Sequence, residues 1–175
     1  MVESTEDFST SEKFDAVVGR FVLMYLSDPA QALRRLAGQV HPGGIVAFQE
    51  LDFSSPVLSF PRSPLYEQCI EWTTKAFGLG SELSMGLKLF GTFTQAGLGK
   101  PQVRVMARVE GGNDSPAYEY VAQTTRSLLP KMEQFGIATA EQVQIETLAD
   151  RLREEVSAGG GVIVMRPVFS AWANT

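Results

Sequence analysis

Two acids, Glu50 and Asp52, stand just beyond the apolar run Ile45 to Phe48, and Arg20 stands just beyond a second such run, Phe14 to Val18. A carboxylate in an apolar pocket holds its proton more tightly than in water, so Glu50 can orient or deprotonate a nucleophile. The other reading of Glu50 is a solvated acid in a strand-end loop, and Asp52 is the weaker candidate of the two. Arg20 presents a fork of donors that suits a carboxylate, or pairs as a surface arginine with a local acid. The single histidine, His41, follows a helix end, where an imidazole favours the dipole, and it reads as structural. The single cysteine, Cys69, lies on an apolar helical row and reads as a small buried hydrophobe. One histidine and one cysteine cannot supply a usual structural zinc site, so no metal and no internal disulfide are expected.

The elements that must position these residues follow from periodicity. Phe14 to Val18 is short, apolar and β-rich, and Gly19 punctuates it, as for a strand buried on both faces of a parallel sheet. Asp28 with Ser27 offers an N-cap, Pro29 suits the first helical position, and Leu33, Leu36, Ala37 and Val40 share one helical face. Pro42, Gly43 and Gly44 stop that helix, and Ile45 to Phe48 forms the next strand. Strand, helix and strand make a βαβ unit, which brings Gly19, Arg20 and Phe21 to the same sheet rim as Glu50 and Asp52. Ser63 and Pro64 open a helix with two apolar rows, one holding Leu65, Cys69, Trp72 and Ala76 and the other Tyr66, Ile70, Thr73 and Phe77. A further helix spans roughly 83 to 96 and ends at Gly97. Val103 to Val109 alternates as a strand near a sheet edge. Helices follow from Ser115 to Leu129, before Pro130, and from the Thr139 to Gln142 capping box to the glycines at 159 to 161. Val162 to Met165 is the expected final strand, limited by Pro167.

Composition narrows the class. The 175 residues suit one domain, with 44% hydrophobic and 20% charged residues and a net charge of −5. That balance excludes a disordered chain and argues against a broad basic face for nucleic acid. No run approaches the length of a membrane span, and the acidic start lacks the pattern of a secretory signal, so the expected location is cytoplasmic. The polar stretch 1–13 reads as flexible.

The block Phe14-Asp15-Ala16-Val17-Val18-Gly19-Arg20, followed by Leu23 to Tyr25, Asp28-Pro29, Leu33, Leu36, then His41-Pro42-Gly43-Gly44-Ile45-Val46 and Glu50, resembles the second half of class I S-adenosylmethionine-dependent methyltransferases. In that family a strand of this kind is the fourth, and the Pro-Gly-Gly turn leads into the fifth. Gly86-Leu87, Leu89, Ala96-Gly97-Leu98 and Val103 resemble the later helix and sixth strand, with Val162 to Met165 as the seventh. The resemblance implies an α/β fold, a partial Rossmann-like sheet of the fourth to seventh strands with helical inserts. It implies that the main chain around Gly19, Arg20 and Phe21 meets the methionine portion of S-adenosylmethionine. It also places Met24, Tyr25 and, on an insert, Trp72 on the side of a small-molecule acceptor.

The departures carry expectations of their own. The family's glycine-rich turn after a first strand and acidic residue after a second have no counterpart in this sequence. Gly78-Leu79-Gly80 lies between two helices, and Gly159 to Gly161 precedes a strand, so both sets read as helix ends. If the chain is the whole molecule, Phe14 to Val18 lacks its sheet neighbour, and its open edge predicts a homo-oligomer or pairing with another polypeptide. The function expected is methyl transfer; the other reading is a catalytically incompetent remnant serving as a binding or oligomerisation module.

Overall fold

A computed structural model describes residues 12–175, so most of the 1–13 segment expected to be flexible lies outside the described residues. The strands are β1 (Phe14–Arg20), β2 (Val40–Leu51), β3 (Ser59–Phe60), β4 (Gln102–Met106), β5 (Val109–Gly111), β6 (Val162–Val164) and β7 (Val168–Asn174). The helices are α1 (Pro29–Ala37), α2 (Pro64–Gly78), α3 (Met85–Gln95), α4 (Ala117–Gln134), α5 (Ala140–Val143) and α6 (Leu148–Ser157), with 3-10 turns at Leu23–Tyr25 and Ile145–Thr147. The chain divides into two compact units. The first holds the described residues up to Ser54, Ser81–Met106 and Pro167–Thr175, and the second holds Ser55–Gly80 and Ala107–Arg166.

The first unit is a four-stranded sheet in the order β1-β2-β7-β4. β1 and β2 are parallel, and β7 runs antiparallel to both of its neighbours. The βαβ unit forms as expected: Asp28 Oδ1 accepts the Gln31 N–H at 2.9 Å, Pro29 takes the first helical position, and Ala32, Leu33 and Leu36 are buried. Val40, however, belongs to β2, because α1 ends at Ala37 and the Pro-Gly-Gly stretch is absorbed into the strand as an irregularity between the Phe14 and Ala16 pairings. Val46, Phe48 and Glu50 face inward with Ala173, Ala171 and Phe169 opposite them. Phe93 of α3 meets the Phe48 ring edge-on at 6.4 Å between centroids.

Three strand expectations are corrected. β1 is not buried on both faces: Val18 is 76% exposed, and among the described residues β1 stands at the end of the sheet order. The expected strand from Val103 to Val109 splits, with β4 at the far edge of this sheet and Val109 starting β5 in the other unit. The final strand of the main sheet is β7, which begins after Pro167, whereas Val162–Val164 joins a different sheet. Pro167 suits a strand start, where its carbonyl still accepts the Asp52 N–H at 3.1 Å.

The second unit is helical, with a small antiparallel sheet in the order β3-β6-β5. Ser63 caps α2, and Tyr66, Cys69, Thr73 and Ala76 form its buried stripe, drawn from both predicted rows. α4 runs through Pro130, which was expected to follow its end; the buried Met132 holds the last turn in place despite the lost N–H. The capping box of Thr139 and Gln142 forms, but the helix it opens is only α5, because Gln144 turns left-handed at φ 47° before α6. Among the described residues no helix is long and apolar enough to cross a membrane.

Gly19 pairs with Phe48, and a Cβ there would lie 2.0 Å from the Phe48 ring. Gly19→Ala should therefore destabilise the first unit by about 1–3 kcal/mol through overpacking. Each unit holds one tryptophan, Trp172 in the first and Trp72 in the second. Urea unfolding followed by Trp172 fluorescence in a Trp72→Phe background checks this, and an unchanged midpoint contradicts it.

Candidate functional site

The carboxyl ends of β1 and β2 meet at one rim. The last ladder bond of β1 runs from the Phe21 N–H to the Gln49 carbonyl at 2.8 Å. Phe21 then adopts φ 56°, a left-handed backbone that costs a non-glycine residue about 1–3 kcal/mol. Val22 follows in the right-handed region, so successive N–H groups converge into the kind of concavity that binds anions. Glu50 fills it: Oε1 accepts the Val22 N–H at 3.0 Å and the Leu23 N–H at 2.8 Å. Hydrogen bonds to a charged group contribute roughly 1.5–3 kcal/mol each, enough to outweigh the backbone strain.

Glu50 is completely buried, and Oε2 has no hydrogen-bond partner among the described residues. Burial pushes the carboxyl above its ordinary value of 4.5, and the N–H groups of Leu23, Val22 and Met24 pull it back only in part. Glu50 is therefore neither a solvated loop acid nor a freely presented base; one oxygen shapes the turn and the other is buried beside it.

The remaining rim residues divide by exposure. The Arg20 guanidinium lies 4.5 Å from the centre of the Phe21 ring. Leu23 and Met24 are buried, whereas Tyr25 is 55% exposed. The Tyr25 phenol is pushed up, first by the buried part of its ring and second by the charge of Glu50. The Met24 carbonyl accepts the Glu82 N–H at 2.8 Å, which ties the turn to the approach of α3. Glu82 in turn accepts from the Ser84 N–H and pairs with Lys88, and these donors hold its carboxyl at about 2.

Asp52 is as buried as Glu50, which sequence reasoning missed. Its Oδ1 accepts the Ser54 N–H at 3.1 Å and the Ser54 hydroxyl at 2.7 Å, and Oδ2 accepts the Leu87 N–H at 3.1 Å in α3. The Asp-x-Ser spacing was the signal for such a turn. Gly86 in the same helix leaves no room for a Cβ against Phe169 and Asp52.

Trp72 belongs to the helical unit, where it packs partly buried against that unit's core. Cys69 is buried there with its thiol pushed up to about 12, mainly by desolvation, which suits a packing role. His41 is exposed at the opposite end of β2 from Glu50, and its carbonyl accepts from the Thr175 hydroxyl. Among the described residues no group of acids, cysteines and histidines has the arrangement to hold a metal ion.

Residues 2–48 match the model of the methyltransferase domain family. The described part of that match, residues 12–48, contains β1, the turn, α1 and most of β2. No curated protein matches the sequence. Among solved structures, the chain is similar to a putative methyltransferase from Bacillus halodurans, with a TM-score of 0.53 and 12% identity over 98% of this chain and 69% of that one. It is also similar to the YcgJ protein from Bacillus subtilis, with a TM-score of 0.51 and 13% identity over 99% of this chain and 70% of that one. A phosphoethanolamine N-methyltransferase 2 from Haemonchus contortus, in complex with S-adenosylhomocysteine, aligns at a TM-score of 0.47 and 13% identity over 98% of this chain and 36% of that one. At these identities the first two likenesses show a shared α/β fold and nothing further.

Because the folded Glu50 titrates above its unfolded value, the folded state binds the extra proton between the two pKa values, and stability falls as pH rises through that window. Glu50→Gln keeps an acceptor for the turn and removes the titration. The wild type should therefore lose stability relative to Glu50→Gln as pH rises from about 4.5 through the raised value. Urea midpoints of both proteins from pH 4 to neutrality check this, and a constant difference contradicts it.

Proposed function

We propose that this chain is the carboxyl-terminal portion, the fourth to seventh strands, of an S-adenosylmethionine-dependent methyltransferase acting on a small-molecule acceptor. The observation that carries this reading is that the segment matching the methyltransferase domain folds as a parallel βαβ unit whose strand ends close around a buried carboxylate. Ligands in open α/β sheets sit beyond those strand ends.

The rim fits the cofactor's chemistry. S-adenosylmethionine carries a carboxylate, an ammonium and a sulfonium, and Glu50, fully buried, would act on them only through the turn whose Val22 and Leu23 N–H groups it holds. In this reading the main chain of Gly19, Arg20 and Phe21 holds the methionine portion. Tyr25, exposed beside the buried Met24, lies toward the acceptor. Bound there, the cofactor would supply an electrophilic methyl group. The chain's own residues orient and exclude water, and positioning of that kind accounts for much of the acceleration of a two-reactant transfer. Glu50 is thus a positioning residue, acting through the turn it holds.

A second reading, a non-catalytic binding or oligomerisation module, is favoured by one observation: the sequence has no strand, glycine-rich turn and helix in succession.

Calorimetric titration with S-adenosylhomocysteine separates the two. Saturable heat is expected from the wild type at millimolar ligand, held in Glu50→Gln and weakened about tenfold or more in Glu50→Ala, equivalent to losing about 1.4 kcal/mol. No heat from the folded wild-type chain would leave the second reading standing.

A further inference from the structure

The small sheet of the second unit has one face in the core and one in solvent. Ile163 is fully buried, and its cross-strand partners Ser59 and Glu110 share that inner face. The other face is a grid of two rows. Phe60, Val162 and Gly111 pair across the three strands in the first row. Leu58, whose carbonyl accepts the Val164 N–H at 2.8 Å, forms the second row with Val164 and Val109. Leu58, Phe60 and Val109 are 62%, 78% and 63% exposed, and the two valines of β6 are half-buried. No position of the grid is charged; Arg108 and Glu110 alternate onto the inner face and pair with each other at 3.5 Å. A contiguous exposed apolar face marks an interaction site, and without a cation it suits neither nucleic acid nor an anionic membrane.

The grid is complementary to itself. Phe60, its largest side chain, stands at one end of the first row, and Gly111, with none, stands at the other. The chain's own packing requires that glycine, since a Cβ there would lie 2.8 Å from the Gly161 carbonyl oxygen. β3 and β5 are both antiparallel to β6. A two-fold axis parallel to β6, between two stacked copies, therefore lays β3 of one copy along β5 of the other. Phe60 then covers Gly111, Leu58 covers Val109, and each β6 valine meets its counterpart, with symmetry providing the first two contacts twice. An axis across the strands instead sets Phe60 over Leu58 and Val109 over Gly111, which overfills one end of the contact and leaves a void at the other. We propose that a second copy of this chain stacks face to face on the β3-β6-β5 sheet, with the two-fold axis along β6. Phe60 alone exposes roughly 150 Å², and the whole grid on the order of 400 Å². That is about half of the ~800 Å² that each partner gives to a standard interface, so the dimer is transient, with a dissociation constant on the order of 100 μM. This inference is independent of the methyl-transfer reading.

Sedimentation of the full chain from about 20 to about 500 μM should show a monomer–dimer equilibrium with that constant. Leu58→Asp and Val109→Lys should each weaken it about tenfold or more, because each sets an unpaired charge against an apolar side chain. Both side chains are exposed in the single chain, so the far-ultraviolet circular dichroism of the variants should match that of the parent. Mixed in equal amounts, the two variants should associate to within about threefold of the parent, since the introduced carboxylate and ammonium then face each other. Within one chain the two positions stand two strands apart, roughly 10 Å, so rescue in the mixture reports a contact between copies. A parent that stays monomeric at about 500 μM would overturn the proposal and leave the face to another partner. Dimerisation indifferent to either substitution, or variants that fail to associate when mixed, would overturn it as well.

Discussion

Oε1 of Glu50 closes the ends of β1 and β2 onto each other, and the rim has its shape because of that contact. Two N–H groups, those of Val22 and Leu23, converge on one oxygen. They can do so only because Phe21 accepts a left-handed backbone. Remove the acceptor and the strain has nothing to offset it, while one buried and one half-buried donor lose their partner. The turn then carries consequences outward: Leu23 and Met24 are drawn into the core, the Met24 carbonyl meets Glu82, and Tyr25 is left facing out. A carboxylate placed by one strand thus arranges the loop of its neighbour.

The sheet around this contact is packed tightly where it meets Glu50 and loosely at its margins. Gly19 admits the Phe48 ring, Phe48 meets Phe93, and Asp52 fixes the start of α3, so the inner face at the strand ends is rigidly specified. The outer strands β1 and β4 remain largely exposed. A firm rim and an exposed outer strand are thus, among the described residues, separate properties of β1.

Much of the architecture was legible where local chemistry decides it. Asp28 and Pro29 begin α1, Ser63 and Pro64 begin α2, and Thr139 with Gln142 forms a capping box, each through a bond that a short motif encodes. Partnerships between distant segments were not legible. Val162 to Met165 and Val168 to Asn174 are both β-rich, and only the space between β2 and β4 decides which one enters the main sheet. Val103 to Val109 reads as one strand, yet its two ends belong to different units. At the rim, the positions of Arg20, Phe21 and Glu50 followed from the βαβ pattern. The left-handed Phe21 did not, since nothing in an aromatic residue signals positive φ, and the burial of Asp52 depends on α3, which lies more than thirty residues away in sequence.

Amide hydrogen exchange at Val22 and Leu23 tests the Glu50 contact most directly. Both amides should be strongly protected in the wild type and in Glu50→Gln, which keeps an acceptor oxygen, and should lose that protection selectively in Glu50→Ala while the β2 and β7 amides keep theirs. Unprotected Val22 and Leu23 amides in the wild type, or equal protection in all three proteins, would contradict the account.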